Sequence, residues 1–270
     1  MPTRDVAAEF DQISLVYDET REPLDPHTID GLSRALRRAG TSSLLEVGVG
    51  TGRVAGPLTE RGFDVTGLDA SIGMLSKARA KGLPKLVRGS GYRLPFGDTT
   101  FDATLFVHVL HVLDAPESAV REAARVSRVG ACALVHPRSN DGKDEVTPED
   151  GPREILREIL REQGFPTPPR ANPRTKEREL LGRLPPDSLE VLGECDVTES
   201  LRDRLDRLAK RGQRSLLTIP PEALRRAVEV ARERVGDRTV TYRRVEALAL
   251  WRPERWSADT APGATSASLQ

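Results

Sequence analysis

The sequence predicts an α/β protein: a mostly parallel sheet with helices on both faces. Three observations carry this. Short apolar runs alternate with longer amphipathic patterns through the first half of the chain. Strands separated by helices pair in parallel through right-handed crossovers, and runs as uniformly apolar as "SLLEVGV" and "FDATLFV" suit strands covered on both faces. A glycine-rich turn, "GVGTG" at 48–52, follows the first of these runs.

The elements follow in order. "SLLEVGV" (43–49) reads as a buried strand and leads into a helix from about Gly52 to Arg61, ended by Gly62. "FDVTGLD" is a second strand, and "SIGMLSKARAKG" the next helix with Ser71 as its N-cap. "PKLVRG" and "FDATLFV" are the third and fourth strands. "PESAVREAARVSRVG" is a helix with Val120, Ala123, Ala124 and Val126 on its apolar stripe, and "ACALVHP" a fifth strand. After Pro137 the polar stretch "RSNDGKDEVTPEDGP" is a loop. "PREILREILREQGF" is an amphipathic helix with Ile155, Leu156, Ile159 and Leu160 on one stripe. The prolines of "PTPPRANPRTK" argue against regular structure there. "SLEVLGECDV" is a sixth strand, helices follow at roughly 199–211 and 221–235, and "TVTYRRVEALALWR" is a long last strand. The small, polar tail after Trp256 is expected to be disordered.

The chain has 270 residues and no formal net charge, with 37% hydrophobic and 30% charged residues. That balance argues against a dedicated nucleic-acid binder, and 4% aromatic residues leave no stacking platform for single strands. The longest apolar stretch, "ATLFVHVLHVLDA", is too short and too interrupted to span a bilayer. With no basic and apolar leader in the first thirty residues, a cytoplasmic location is expected. Cys132 and Cys195 fall in strands without metal-ligand spacing and read as buried structural thiols.

The spacing of the glycines discriminates between ligands. A nicotinamide fingerprint needs G-x-G-x-x-G, but Gly48, Gly50 and Gly52 are followed by Arg53 where the third glycine belongs. A phosphate loop needs a lysine that is not there. What remains is a tight turn after a strand, open to a ligand where a Cβ would clash. Two acids accompany it. Glu46 lies inside the strand, a costly place for a carboxylate without a polar partner. Asp69 ends the second strand, where it can either accept both hydroxyls of a ribose in the crevice or cap the next helix.

In this order and spacing, "LLEVGVGTGR", "VTGLDAS", "LPFGDTTFDATLFVHVLHVLDAPESAVREAARV" and "VGACALVHP" resemble the class I S-adenosylmethionine-dependent methyltransferases. The small-molecule branch that includes the ubiquinone- and menaquinone-biosynthesis enzymes is the nearest likeness. The resemblance covers residues 8–137 with specific motifs and extends more loosely to the last strand. It implies a Rossmann-like seven-stranded sheet whose last strand inserts antiparallel between the fifth and sixth. It divides the chain into an N-terminal helical cap (1–40), a cofactor-binding core (41–137), a lid insertion with the closing strands (138–256) and a tail (257–270).

By the same resemblance, Gly48, Gly50 and Gly52 lie under the methionine portion of S-adenosylmethionine with Glu46 near its ammonium. Asp69 holds the ribose, with Ala70 and Met74 beside ribose and adenine. "GSGYRLPF" (89–96) places Ser90 where the family usually has aspartate, a change that weakens the contact to adenine by about 1 kcal/mol. Gly91 and Val107 complete the cofactor set. "FDQISLVYDETR" (10–21) resembles the helical lead-in that folds over the cofactor. Tyr17 and Arg21 would share a helical face there, the guanidinium facing the cofactor's carboxylate.

Methyl transfer from a sulfonium needs alignment and exclusion of water, and a base only where the acceptor loses a proton. His108, His111 and His136 follow strands four and five and are the candidate bases. No metal is expected, since the His108/His111 pair has no further ligands at suitable spacing. The expected activity is methyl transfer to a small-molecule acceptor, without nucleic-acid or membrane partners and with a homodimer left open. Two rivals stand beside it: a cofactor-binding protein without catalysis, and a nicotinamide-dependent oxidoreductase.

Overall fold

A chain that alternates buried strands with amphipathic helices must cover both faces of its sheet, and here it does so with two separate apolar layers. The computed structural model describes residues 5–21, 24–137, 151–165, 173–210 and 216–256. Three helices lead in: α1 (Val6–Ile13), the single turn α2 (Tyr17–Thr20) and α3 (Pro26–Arg38). The alternating core follows as β1 (Ser43–Val47), α4 (Ala55–Glu60), β2 (Asp64–Asp69), α5 (Ile72–Ala80), β3 (Leu86–Arg88) and β4 (Phe101–Val107), then α6 (Pro116–Arg125) and β5 (Ser127–Val135). The last part contains α7 (Pro152–Glu162), α8 (Pro173–Arg183), β6 (Ser188–Ser200), α9 (Leu201–Ala209), α10 (Pro221–Val235) and β7 (Thr239–Trp251).

The seven strands are ordered β3-β2-β1-β4-β5-β7-β6. Strands β1 to β5 pair in parallel, and β7 enters antiparallel between β5 and β6, as the resemblance implied. One sheet face packs Leu45, Phe106, Val120, Ala123 and Trp251. The other packs Leu32, Leu36, Leu58 and Ala78 of α3, α4 and α5 against Leu44 of β1 and Leu105 of β4. A third apolar cluster joins the stripe of α7 (Ile155, Leu156, Ile159, Leu160) to α9 and α10. The helices after β5 therefore have a core of their own beside the sheet.

Several local expectations are corrected. The α6 helix stops at Arg125, and "SRVG" begins β5 instead of prolonging the helix. Ser127 turns its hydroxyl to the Ala123 carbonyl and pairs at 2.7 Å with Thr104 on β4, which starts the strand early. The segment "PRTK" is helical: Pro173 opens α8, where a missing N–H costs nothing. Cys132 is buried, but Cys195 is exposed, because β6 forms the sheet edge and keeps most of its residues exposed or half-buried. The loop at 138–150, residues 166–172 and the tail from 257 lie outside the described residues. Among the described residues, no helix is long and apolar enough to cross a membrane.

Candidate active site

The carboxyl ends of β1 and β2 meet in a glycine turn. The N–H groups of Gly48 and Val49 both donate to the Leu68 carbonyl, at 2.7 and 3.0 Å, lashing the turn to β2. Gly48, Gly50 and Gly52 have φ of +74°, +55° and +79°, a region that L side chains rarely enter. They differ in what a side chain would meet. A Cβ on Gly48 would lie 2.5 Å from Val109 Cγ2, and one on Gly52 would lie 2.2 Å from Leu83 Cδ1. A Cβ on Gly50 would meet nothing nearer than the Gly48 carbonyl at 4.0 Å. The outer glycines are thus required by packing, while the middle one opens onto free space.

Two carboxylates flank this opening. Glu46 is 3% exposed; the Ala55 N–H feeds its carboxylate, and Oε2 has no partner among the described residues. Burial pushes its pKa up to about 8, and the nearby Asp69 adds to the rise. Asp69 accepts the Gly50 N–H on Oδ2 at 2.8 Å and the Ser71 N–H on Oδ1 at 2.9 Å. Burial nevertheless holds its carboxyl above the usual carboxylate range. The helix cap belongs to Ser71, whose hydroxyl accepts from Met74 N at 3.0 Å. Asp69 therefore keeps lone pairs for a ligand instead of acting as the N-cap of α5.

The N-terminal helices close over this end of the sheet through acids that the motif reading did not single out. Asp11 accepts from Ser71 Oγ at 2.5 Å and from Gly73 N at 2.8 Å. Asp18 accepts from Thr51 Oγ1 at 2.6 Å and pairs with Lys81 at 2.7 Å. These four contacts pin α1 to the start of α5, and α2 to the glycine turn and the C-terminal end of α5. The one sequence signal was position, since both acids lie in the lead-in segment. Tyr17 and Arg21 come together although α2 ends at Thr20: the guanidinium lies 5.0 Å from the ring centroid.

The remaining cofactor candidates scatter more. Ala70, just past β2, is exposed, and Val107, the last residue of β4, is half-buried against the layer of α3, α4 and α5. Met74 is 1% exposed and belongs to the packed interior of α5. Ser90 accepts the Tyr92 N–H at 3.2 Å, so its hydroxyl already holds a turn. Gly91 is confined by Val47, whose Cγ1 would lie 3.0 Å from an added Cβ.

The three histidines gather at the ends of β4 and β5. His108 takes a φ of +54° and stacks on His136, ring centroids 5.0 Å apart and 18° from parallel. Burial, reinforced by the facing His136, keeps His108 well below the ordinary imidazole pKa. His111, on the short 3-10 turn Leu110–Val112, is lowered to about 4 by burial despite the pull of Glu177. His136 has different company. Its backbone N–H donates to Glu177 Oε1 at 2.6 Å, and its ring nitrogens lie 3.8 Å from Glu177 Oε2 and 3.9 Å from Glu246 Oε1. Glu177 comes from α8 and Glu246 from β7; both are buried, and Glu246 Oε2 has no hydrogen-bond partner among the described residues. Neither acid was in the sequence-derived set, because α8 and β7 reach the histidines only through the tertiary fold. Among the described residues no cluster suits a metal ion.

The glycine turn lies between the buried Glu46 and Asp69, on a sheet with an antiparallel strand inserted next to its edge, the architecture of the Rossmann-like methyltransferase fold. Residues 45–135 match the family described as methyltransferase domain. The chain is 38% identical over 140 residues to the demethylmenaquinone methyltransferase of Mycobacterium tuberculosis, covering 49% of this chain and 58% of that protein. It is 33% identical over 141 residues to the enzyme of the same name from Renibacterium salmoninarum, covering 48% and 57%. It thus spans less than two thirds of the curated relatives it matches. The YcgJ protein of Bacillus subtilis shares the fold, with a TM-score of 0.52 and 16% identity over 84% of this chain and 99% of that one.

The residues present fit the cofactor of this family. An ammonium would complete the unpartnered Glu46 oxygen, the space above Gly50 admits a ligand backbone, and Asp69 retains acceptor capacity for hydroxyls.

Proposed function

We propose that the chain is an enzyme that moves a methyl group from S-adenosylmethionine to a small-molecule acceptor. The observation that carries this is Glu46: a buried carboxylate with one orphaned oxygen beside an open glycine turn calls for a cation. Bound there, S-adenosylmethionine supplies an electrophilic methyl carbon on a sulfonium. Glu46 holds the ammonium, Asp69 the ribose hydroxyls, and Arg21 and Tyr17 close over the methionine end. Ser90, with a lone pair left beyond its turn, and Ala70 border the nucleoside, with Gly91 and Val107 behind. The lead-in helices, pinned by Asp11 and Asp18, keep water from the crevice.

The relatives are named for demethylmenaquinone, which supports a hydroxylated aromatic ring as the acceptor class. Such a ring becomes a better nucleophile as it loses a proton. His136 suits that task best, since Glu177 and Glu246 both face the imidazole that would carry the charge. His108 and His111, with pKa values lowered by burial, serve as walls and not as bases. The core (41–137) would then hold the cofactor and the segment 138–256 the acceptor.

Calorimetric titration with S-adenosylmethionine, S-adenosylhomocysteine and NAD tests this reading. Binding of the first two and not of NAD is expected, and tight binding of NAD alone would sink it. Ser90, occupied in its turn, favours a second reading in which the cofactor binds without turnover. Binding of S-adenosylmethionine with no methyl transfer to any hydroxyaryl acceptor would support that rival.

A further inference from the structure

Strand register puts Glu246 on the same sheet face as Glu46. Glu46 lies opposite Leu105, Leu105 opposite Cys132, and Cys132 opposite Leu250. Side chains alternate along β7, so Glu246 shares the face of Leu248 and Leu250. It stands one residue beyond the Val135–Ala247 pair, level with His136 at the carboxyl end of β5. There it is 5% exposed. Its Oε1 lies 3.9 Å from His136 Nε2, too far for a hydrogen bond, and Oε2 has no hydrogen-bond partner among the described residues. Glu177, the other acid beside His136, is differently employed, since its Oε1 accepts the His136 N–H at 2.6 Å. Arg244 acts on Glu246 through space and donates to the Tyr242 hydroxyl, but it leaves Oε2 without a donor. One acid thus holds the end of β5, and the other keeps unused acceptor capacity in a buried place.

A buried carboxylate oxygen without a donor destabilises the fold until a ligand supplies one. A site built this way also rejects molecules that lack the donor, because they leave the buried oxygen unpaired. We infer that Glu246 Oε2 receives a hydrogen-bond donor of the acceptor, beside the group that His136 deprotonates. The acceptor then carries two neighbouring donor groups, a hydroxyl with a second hydroxyl or an amine next to it. Because His136 Nε2 and the Glu246 carboxylate lie 3.9 Å apart, donors on neighbouring atoms of one molecule can meet both. Glu246 is in this account a specificity-determining residue. The inference rests on the methyl-transfer reading in calling the ligand the acceptor and His136 the base; the demand for a donor stands on Glu246 itself.

The test uses the full chain, with and without saturating S-adenosylhomocysteine. Phenol, catechol and 2-aminophenol are titrated separately by calorimetry, the last two distinguishing a hydroxyl from an amine as the second donor. At least one of those two is expected to bind about tenfold or more tightly than phenol, a preference that falls below about twofold in Glu246→Leu. Leucine replaces an unsatisfied buried group at similar volume, so without ligand this variant should resist urea at least as well as the unaltered chain. A merely structural Glu246 would instead lower that resistance and leave the preference intact. Should the leucine variant fail to fold, Glu246→Gln decides: the favoured probe should bind about threefold or more weakly, with phenol unchanged. Equal binding of the three probes by the unaltered chain, no saturable binding of any, or a preference retained in the variants overturns the inference. If S-adenosylhomocysteine fails to bind the unaltered chain, the cofactor reading fails, and the titrations without it still decide the role of Glu246.

Discussion

Glu46 offers a direct test of how burial couples to ligand binding. With a pKa of about 8, its carboxyl is protonated in most molecules at pH 7. A ligand ammonium needs the carboxylate, so binding must expel that proton, and apparent affinity follows the ionised fraction. That fraction is about 1% at pH 6, about 9% at pH 7 and about 24% at pH 7.5. S-adenosylhomocysteine should therefore bind about ninefold tighter at pH 7 than at pH 6 and gain a further two- to threefold, roughly, by pH 7.5. Titration in two buffers of different ionisation heat should show release of about 0.9 proton per ligand at pH 7. In Glu46→Gln the pH slope should vanish. A flat profile in the unaltered chain, or an unchanged slope in the variant, would refute the reasoning.

The same shift has a consequence for stability, with a definite sign. The folded pKa, about 8, lies above the ordinary value of 4.5, so the folded state binds more protons between those limits. Stability without ligand is then greatest below pH 4.5 and falls toward pH 8, by about 3 kcal/mol at pH 7 from this group. Urea denaturation should show Glu46→Gln gaining on the unaltered chain as pH rises from 5 to 8. A constant difference would contradict the assignment.

Three further substitutions separate packing from binding. Gly52→Ala, forced against Leu83 at positive φ, should lose about 1–3 kcal/mol in urea denaturation, whereas Gly50→Ala should lose less stability and more cofactor affinity; the reverse order would mean that the free space above Gly50 is not a ligand site. Asp69→Ala removes the acceptor of two backbone N–H groups and the proposed ribose contact, so S-adenosylhomocysteine should bind at least about tenfold more weakly by calorimetry; unchanged affinity would leave Asp69 as a support for the turn alone. Glu177→Gln weakens a charge-assisted bond from the His136 N–H, whose amide hydrogen should exchange about tenfold faster while cofactor affinity stays constant; unaltered protection would show that α8 does not hold the end of β5.

The strands and the glycine turn with its flanking acids were legible because their signals are local. Apolar periodicity marked the strands, and Gly48, Gly50, Gly52 and Asp69 lie within one strand-helix-strand unit, where a spacing rule applies. The early start of β5 was not legible, since "SRVG" has helical neighbours and only the pairing of Ser127 with Thr104 turns it into strand. Met74, expected beside ribose and adenine from its position alone, is buried, and that burial is set by how α5 packs. Asp11 and Asp18 gave no motif, because contacts to other elements leave no periodic mark.

By itself the sequence determined the sheet, the glycine turn and the acids on either side of it, for each follows from backbone geometry over fewer than thirty or so residues. Tertiary structure alone decided three things: which glycine is open, which histidine faces carboxylates, and which of those carboxylates keeps an oxygen without a hydrogen-bond partner among the described residues. The physical reason is common to all three. Burial and charge at a site are sums over groups brought together from distant parts of the chain, and no local pattern of residues encodes that sum.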